Sequence, residues 1–111
     1  MFPANERTIN NIPNGEEKTM KFMTTWAALP GAAHECVEKF LAGDGAPEEG
    51  VTLLGRWHNV DFSGGFSLTE TDNAVLLYQG AAKWADLLEL SIVPVIEDAL
   101  AAPILAAAFK K

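Results

Sequence analysis

From Met20 onward, apolar residues recur with two periods, one typical of β-strands and one typical of helices. The alternating pattern predicts four strands, within KFMTTW, VTLLGRWHNV, FSLTET and LLELSIVPVI. Helical spacing occurs in AAHECVEKFLAG, which Gly43 would end as a C-cap. It occurs again after Thr71 or Asp72, either of which could cap a helix with the apolar stripe Leu77, Ala81, Trp84 and Leu88. An alanine-rich helix containing Pro103 is expected from about residue 98.

The predicted order of elements is therefore βαββαβ followed by a terminal helix. This order is typical of the ferredoxin-like α+β fold, with an antiparallel sheet in the order 4-1-3-2. Pro94 agrees with this arrangement, because proline cannot donate to a central ladder and the fourth strand lies at an edge.

The first 19 residues have a different character. They are rich in asparagine, proline and charge, and they follow neither period. We expect a mobile arm over residues 1–19 and a single ferredoxin-like domain over residues 20–111.

Composition narrows the range of partners and locations. The chain has 111 residues, of which 49% are hydrophobic, and a formal net charge of −7 with 8 basic residues. Nucleic-acid binding is not expected, because it depends on clustered basic side chains. Cys36 is the single cysteine, and the N-terminus lacks the apolar run of a signal peptide, so a reducing cytoplasm is expected. No run of about 18 apolar residues predicts a membrane span.

Strand alternation sorts the side chains into two faces. If Val60 pairs with Gly65, strands two and three share an apolar face of Leu53, Trp57, Phe66 and Leu68 and a polar face of Arg56, His58, Ser67 and Thr69. Strand one then adds Phe22 and Trp26 to the apolar face, with Met23 and Thr25 opposite. Strand four adds Leu88, Leu90 and Ile92 to the apolar face, with Glu89, Ser91 and Val93 opposite. We expect the apolar face to be the core beneath the two helices.

Arg56 and His58 form the candidate site on the polar face. Together they offer an anion clamp with a group that titrates near neutrality. Thr25 and Ser67 share this face as further ligand-binding candidates, and Trp26 could line the mouth of a pocket at its strand end. The alternative interpretation of His58 is a structural, hydrogen-bonded histidine.

Other residues are better explained by packing or solvation. Trp57 and Trp84 are expected in the core, and His34 on a charged helix surface. Glu70 is the exception on the apolar face, where it would reach solvent or cap the next helix. Two histidines and one cysteine without metal-ligand spacing predict no metal site, and the glycines do not form a phosphate loop, so no cofactor is expected.

The chain resembles a family of small bacterial domains of unknown function related to the dimeric α/β barrels. The stretches that carry the resemblance are MKFMTTW, LLGRWH, GFSLTETD and WADLLELSIVPVIED. The resemblance implies a homodimer in which two sheets pack face to face. Relatives in that superfamily include cofactor-free monooxygenases, isomerases, haem-degrading enzymes and proteins without known activity. The second helix here has no histidine to ligate haem iron, which disfavours that activity.

Two classes of function remain open from the sequence. The first is a dimer that binds a small aromatic or anionic ligand between sheet and helices, oriented by Arg56 and His58. Its catalytic version is a cofactor-free monooxygenase or isomerase in which His58 is the catalytic acid or base. The second class is a non-catalytic dimer whose polar sheet face is the subunit seam. A cavity beside His58 would favour the first class.

Overall fold

The computed structural model describes residues 19–110, which form one four-stranded sheet and three α-helices. In chain order the elements are β1 (Met20–Ala28), α1 (Ala33–Lys39), β2 (Thr52–His58), β3 (Gly64–Thr71), α2 (Ala74–Ala82), β4 (Leu88–Val95) and α3 (Asp98–Ala108). A π-helical turn, Phe40–Asp44, continues α1 and contains Gly43 at φ 100°. Of the predicted arm, residues 1–18 lie outside the described residues, and Thr19 donates its hydroxyl to Glu70 at 2.9 Å.

The sheet is antiparallel, with the strand order β2-β3-β1-β4. This confirms the predicted α+β class and the predicted order. Pro94 lies opposite Phe22 on β4, which is an edge strand. The missing N–H of Pro94 is therefore tolerated there.

The pairing of β2 with β3 differs from the predicted register by two residues. Gly65 lies opposite His58 instead of Val60, and Arg56 lies opposite Ser67. A shift of two residues keeps the same side chains on the same face. Arg56, His58 and Ser67 therefore do share a face, as predicted, with Trp57 on the other.

The predicted side of these two strands was nevertheless wrong. In the pairing of β1 with β3, Thr24 lies opposite Ser67, and Thr25 lies opposite Phe66. The face of Arg56, His58 and Ser67 is thus also the face of Trp26, and it lies beneath α1 and α2. The prediction had placed Trp57 and Phe66 on the side of the helices instead. It rested on the assumption that the more apolar face of each strand packs against the helices.

The opposite face of the sheet is not covered by α1 or α2, and we call it the open face. Its members include Met23, Thr25, Gly55, Trp57, Phe66, Leu68, Ser91 and Val93, together with the charged residues Lys21, Glu70 and Glu89. Trp57 is 51% exposed there and stacks on Phe66, with 5.2 Å between ring centroids. The prediction that Trp57 is a core residue was therefore wrong.

A β-bulge separates Leu53 from Trp57, which the prediction had placed on the same face. Leu53 itself lies on the side of the helices, as predicted. The register shifts between Leu53 and Gly55, so that Leu53 lies opposite Thr69. A bulge inserts one extra residue into a strand and reverses the alternation beyond it. Leu53 consequently faces the helices, whereas Trp57 does not.

The helix boundaries also differ in detail from the sequence prediction. Asn73 caps α2 by accepting a hydrogen bond from the Val75 N–H at 3.0 Å, so neither Thr71 nor Asp72 is the cap. Trp84 follows the end of α2, and Leu88 belongs to β4. The short side chain of Asn73 reaches the second N–H of the helix, which is the usual capping geometry.

The hydrophobic core of the described chain is thin. Phe22, Ala32 and Leu87 are its buried apolar residues, each no more than 9% exposed. The helices α1 and α2 cover one face of the sheet but leave a cleft between themselves and the strands. None of the helices in residues 19–110 has both the length and the apolar character needed to cross a bilayer.

Candidate functional site

The cleft between the sheet and helices α1 and α2 has a volume of about 720 Å³. Its floor comes from all four strands and its roof from α1, the π-helical turn and α2. Most of the surface is apolar, and the rings of Trp26, Phe40 and Trp84 are part of it. Pockets of this size and character are typical small-molecule sites.

Arg56 brings a positive charge into this apolar cleft. It extends from β2 and donates from its guanidinium to the carbonyl of Gly45, just beyond the π-helical turn. Its Cζ also lies 5.4 Å from the centroid of the Phe40 ring. Over residues 19–110, no carboxylate lies within ion-pair distance of Arg56.

The other charged side chains that line the cleft, Asp44, Glu48 and Lys83, are paired. Lys83 lies 2.6 Å from Glu48, and Lys39 lies 3.7 Å from Asp44. The hydrogen bond from Lys83 to Glu48 raises the pKa of Lys83 and keeps the amine charged. Among the described residues that line the cleft, Arg56 is therefore the cation without a carboxylate at ion-pair distance, and an anion could complement it.

His58 lies beside Arg56 in the same strand and faces the same cleft. Its ring packs edge-on against Trp26, with centroids 5.7 Å apart, and against Phe40, at 5.3 Å. The residue is exposed, and its imidazole makes no hydrogen bond within the described part of the chain. The geometry differs from that of a buried, hydrogen-bonded structural histidine.

Threonine and serine residues lie on the floor of the cleft. Thr24, Ser67 and Thr69 all line it, and Ser67 and Thr69 are each only 7% exposed. The Oγ1 atom of Thr69 is buried and has no hydrogen-bond partner among the described residues. A buried polar group left in this state costs about 1–3 kcal/mol of stability.

Cys36 lines the cleft from α1. Its Sγ donates to the carbonyl of Leu87 at 3.6 Å, which connects α1 to the start of β4. Burial raises the pKa of the Cys36 thiol. The neutral thiol is a weak nucleophile, so we assign Cys36 a packing role.

Four of the five predicted site residues lie together in the cleft: Arg56, His58, Trp26 and Ser67. Thr25, the fifth, lies opposite Phe66 on the open face. The prediction had grouped Thr25 with Arg56 because it reversed the side of β2 and β3 relative to β1.

Sequence reasoning missed three residues that shape the site. Phe40 was only part of a predicted helix, Gly45 was given no role, and Thr69 was placed on the polar face without a role. The position of Phe40 in a π-helical turn could not be read from spacing. Thr69 did carry a signal, since a threonine two residues after Ser67 shares its face.

Comparison with known proteins gives a family but no activity. The family profile described as "Domain of unknown function (DUF3303)" matches residues 20–109. No curated protein matches the chain. A solved structure, described as "Crystal structure of PA3566 from Pseudomonas aeruginosa", is similar with 18% identity and a TM-score of 0.46, over 71% of this chain and 93% of that one.

Proposed function

The chain belongs to this family, whose description assigns no function, and we propose that it binds a small organic carboxylate in the cleft. The observation that carries the proposal is the guanidinium of Arg56, which has no carboxylate at ion-pair distance among the described residues, in a mainly apolar cleft of about 720 Å³. The guanidinium of Arg56 is half-buried and donates one hydrogen bond to the Gly45 carbonyl, which leaves further donors for an anionic ligand. The two oxygens of a carboxylate match the planar donors of arginine, as those of a phosphate also do.

The body of the ligand is apolar in this proposal. A hydrophilic anion such as phosphate has no apolar surface to pack against the cleft wall, which is formed mainly by aliphatic and aromatic side chains. The rings of Trp26, Phe40 and Trp84 favour an aromatic body, since rings associate edge-to-face or offset. His58 lies beside Arg56 and would contact the same end of the ligand.

We also propose that the chain forms a homodimer through the open face, as in the dimeric α/β barrels. The support is the exposed, stacked pair of Trp57 and Phe66 on a face that α1 and α2 leave bare. In this arrangement Arg56 and His58 do not belong to the seam, because they lie on the opposite face of the sheet.

Catalysis remains the second candidate. The observation that favours it is the position of His58, whose imidazole faces the cleft without a hydrogen-bond partner in the described chain. A histidine in that position could move a proton to or from a bound ligand, as a cofactor-free monooxygenase or isomerase requires. Carboxylate binding precedes such chemistry and can be tested alone.

The test is a calorimetric titration of the full chain with 3-phenylpropionate and with its neutral amide. We expect the acid to bind at least about tenfold more tightly than the amide, since a charge-assisted hydrogen bond contributes ~1.5–3 kcal/mol. Arg56→Leu should abolish that preference. Lys21→Met removes the same charge from an ion-paired lysine outside the cleft and should preserve it. Equal affinity for acid and amide in the unmodified protein would contradict carboxylate binding.

A further inference from the structure

The C-terminal helix α3 is apolar on every side. Over residues 99–109 its sequence, ALAAPILAAAF, contains no charged or polar side chain. Ala101 is half-buried, and the other residues of α3 are exposed. Leu100, Ile104 and Leu105 are each more than half exposed. A helix that is hydrophobic all round is normally buried, so the single chain leaves α3 without the cover that such a sequence requires.

The helix α3 also has little capacity to stay helical by itself. It has 11 residues, and isolated helices shorter than about 12–15 residues are marginal in water even when they are rich in alanine. Pro103 lies inside it, where proline has no N–H to donate to the carbonyl four residues earlier. Most helical stability in proteins comes from the packing of an apolar face. Contact with another surface is therefore what would keep α3 folded in solution.

The start of α3 is fixed next to the open face. The Oε2 atom of Glu97, the N-cap residue, lies 3.1 Å from the Nζ atom of Lys21. Lys21 belongs to the open face and lies opposite Val95, the last residue of the edge strand β4. The helix therefore leaves the sheet at the edge of the surface that forms the proposed dimer interface.

A second copy of the chain suits this helix better than a membrane does. Helices that lie on anionic bilayers are rich in lysine and arginine on their polar face. In contrast, Asp98 is the one charged residue of α3, and the chain has a formal net charge of −7. The open face exposes Trp57 and Phe66, and α3 adds further apolar area at its edge. Large and mainly hydrophobic surfaces of this kind are typical of obligate dimers.

We propose that α3 packs against a second copy of the chain and forms part of the dimer interface at the edge of the open face. This inference rests on the proposed dimer and deepens it, because it names a segment that is stably helical only when two chains associate. In a twofold-symmetric dimer each chain provides one α3 and receives one. A change in α3 therefore acts twice in every dimer.

The first measurement is hydrogen–deuterium exchange of the full chain, followed in peptides that cover residues 98–109, above and below the dimer dissociation constant. We expect the α3 amides to be protected in the dimer and to exchange at least about tenfold faster in the monomer. Trp57→Ala should lose this protection at a concentration at which the unmodified chain is dimeric, because it weakens the dimer at a site outside α3.

The second measurement is sedimentation velocity of the double variant Ile104→Gln/Leu105→Gln. Glutamine has a high helix propensity, so the change acts on the apolar surface of α3. The matched control, Val75→Gln/Tyr78→Gln, alters two exposed apolar residues of α2 on the other side of the sheet. We expect the dimer dissociation constant to rise at least about tenfold for the α3 variant and to change less than about twofold for the control.

The outcomes separate this inference from the proposed dimer. If the unmodified chain is a monomer, both fail. If the chain is a dimer that depends on Trp57, but the α3 amides exchange at the rate of an unstructured peptide or the α3 variant dimerises normally, the inference is overturned alone. Equal protection in monomer and dimer would mean that α3 packs on its own chain, which also overturns the inference. Protection that appears only when phosphatidylglycerol vesicles are added would assign α3 to a membrane surface instead.

Discussion

The guanidinium of Arg56 lies against the ring of Phe40, with 5.4 Å between Cζ and the ring centroid. The same ring packs against His58 at 5.3 Å, so one aromatic side chain of the π-helical turn supports both polar residues of the site. Gly45 lies directly beneath this arrangement: a Cβ there would come within 2.7 Å of Phe40 Cδ1. The absence of a side chain at Gly45 is what allows Phe40 to hold this position.

Gly45→Ala should therefore displace Phe40 and weaken the site. The backbone of Gly45 has φ −84°, so alanine adds no backbone strain and the effect comes from the ring. We expect a loss of about 1–2 kcal/mol of stability from overpacking, together with weaker binding of 3-phenylpropionate. Gly80→Ala is the control, because its Cβ would meet nothing closer than 3.8 Å. In α2 that change should stabilise the protein by ~0.5–1 kcal/mol in urea unfolding.

His58→Ala should change stability by less than about 1 kcal/mol, because the exposed imidazole leaves no hydrogen-bond partner unsatisfied in the described chain. Binding of 3-phenylpropionate should weaken roughly threefold, through the lost ring contacts in the cleft. His34→Ala is the matched control, since His34 lies on the surface of α1 beside Glu38 and outside the cleft. Strong destabilisation of His58→Ala at a fixed protein concentration would restore the structural interpretation of this histidine.

The sequence was sufficient to predict the order of elements and the sheet topology, because both follow from alternation, helical spacing and a few turn residues. It also placed Arg56, His58 and Ser67 on one face, since strand parity is a local property. Pro94 located the edge strand for a similarly local reason.

The side of the sheet on which these residues lie was not predictable in the same way. That side depends on how β3 pairs with β1, and 35 residues lie between the two strands along the chain. The usual guide is that the apolar face of a strand is buried. Here the apolar residues Trp57 and Phe66 lie on the open face, so the expectation that the apolar face is buried was wrong for these strands. Local departures from pattern at functional sites or interfaces are a common reason for such failures.

Asp61 should make the β2–β3 hairpin sensitive to acid. Its carboxylate accepts hydrogen bonds from the Ser63 hydroxyl at 2.6 Å and from the Ser63 N–H at 3.0 Å. These bonds, the hydroxyl first, lower the pKa of Asp61 below its ordinary value of 3.8. A carboxyl group whose pKa is lower in the folded state stabilises the fold above its ordinary pKa, and the stabilisation is lost as the pH falls through the folded value.

The measurement is the urea midpoint of the unmodified chain and of Asp61→Asn between pH 7 and pH 2.5. We expect the unmodified chain to be the more stable at pH 7 and the difference to shrink below about pH 4. Taking the difference between the two proteins cancels the titration of the remaining carboxylates. A difference that stays constant over the whole range would show that the charge of Asp61 does not contribute.

Trp57→Ala tests the proposed dimer through the open face. The ring of Trp57 stacks on Phe66 and covers Gly55, where a Cβ would collide with it. Because the side chain is 51% exposed in the single chain, its removal from a monomer should cost only about 1–2 kcal/mol, less than the ~3–5 kcal/mol of a buried aromatic residue. In a dimer that buries this face, the same change removes a large aromatic anchor from the interface.

We expect sedimentation velocity to show a dimer for the unmodified chain at micromolar concentration and a shift toward monomer for Trp57→Ala. Tyr78→Ala is the control, because Tyr78 is a 79% exposed aromatic residue on α2, away from the open face. It should leave the dimer intact. If the unmodified chain is a monomer, the proposed dimer interface through the open face is ruled out. If both variants remain dimeric, the interface lies elsewhere on the molecule. Carboxylate binding by Trp57→Ala should persist in either case, since Trp57 and Arg56 lie on opposite faces of the sheet.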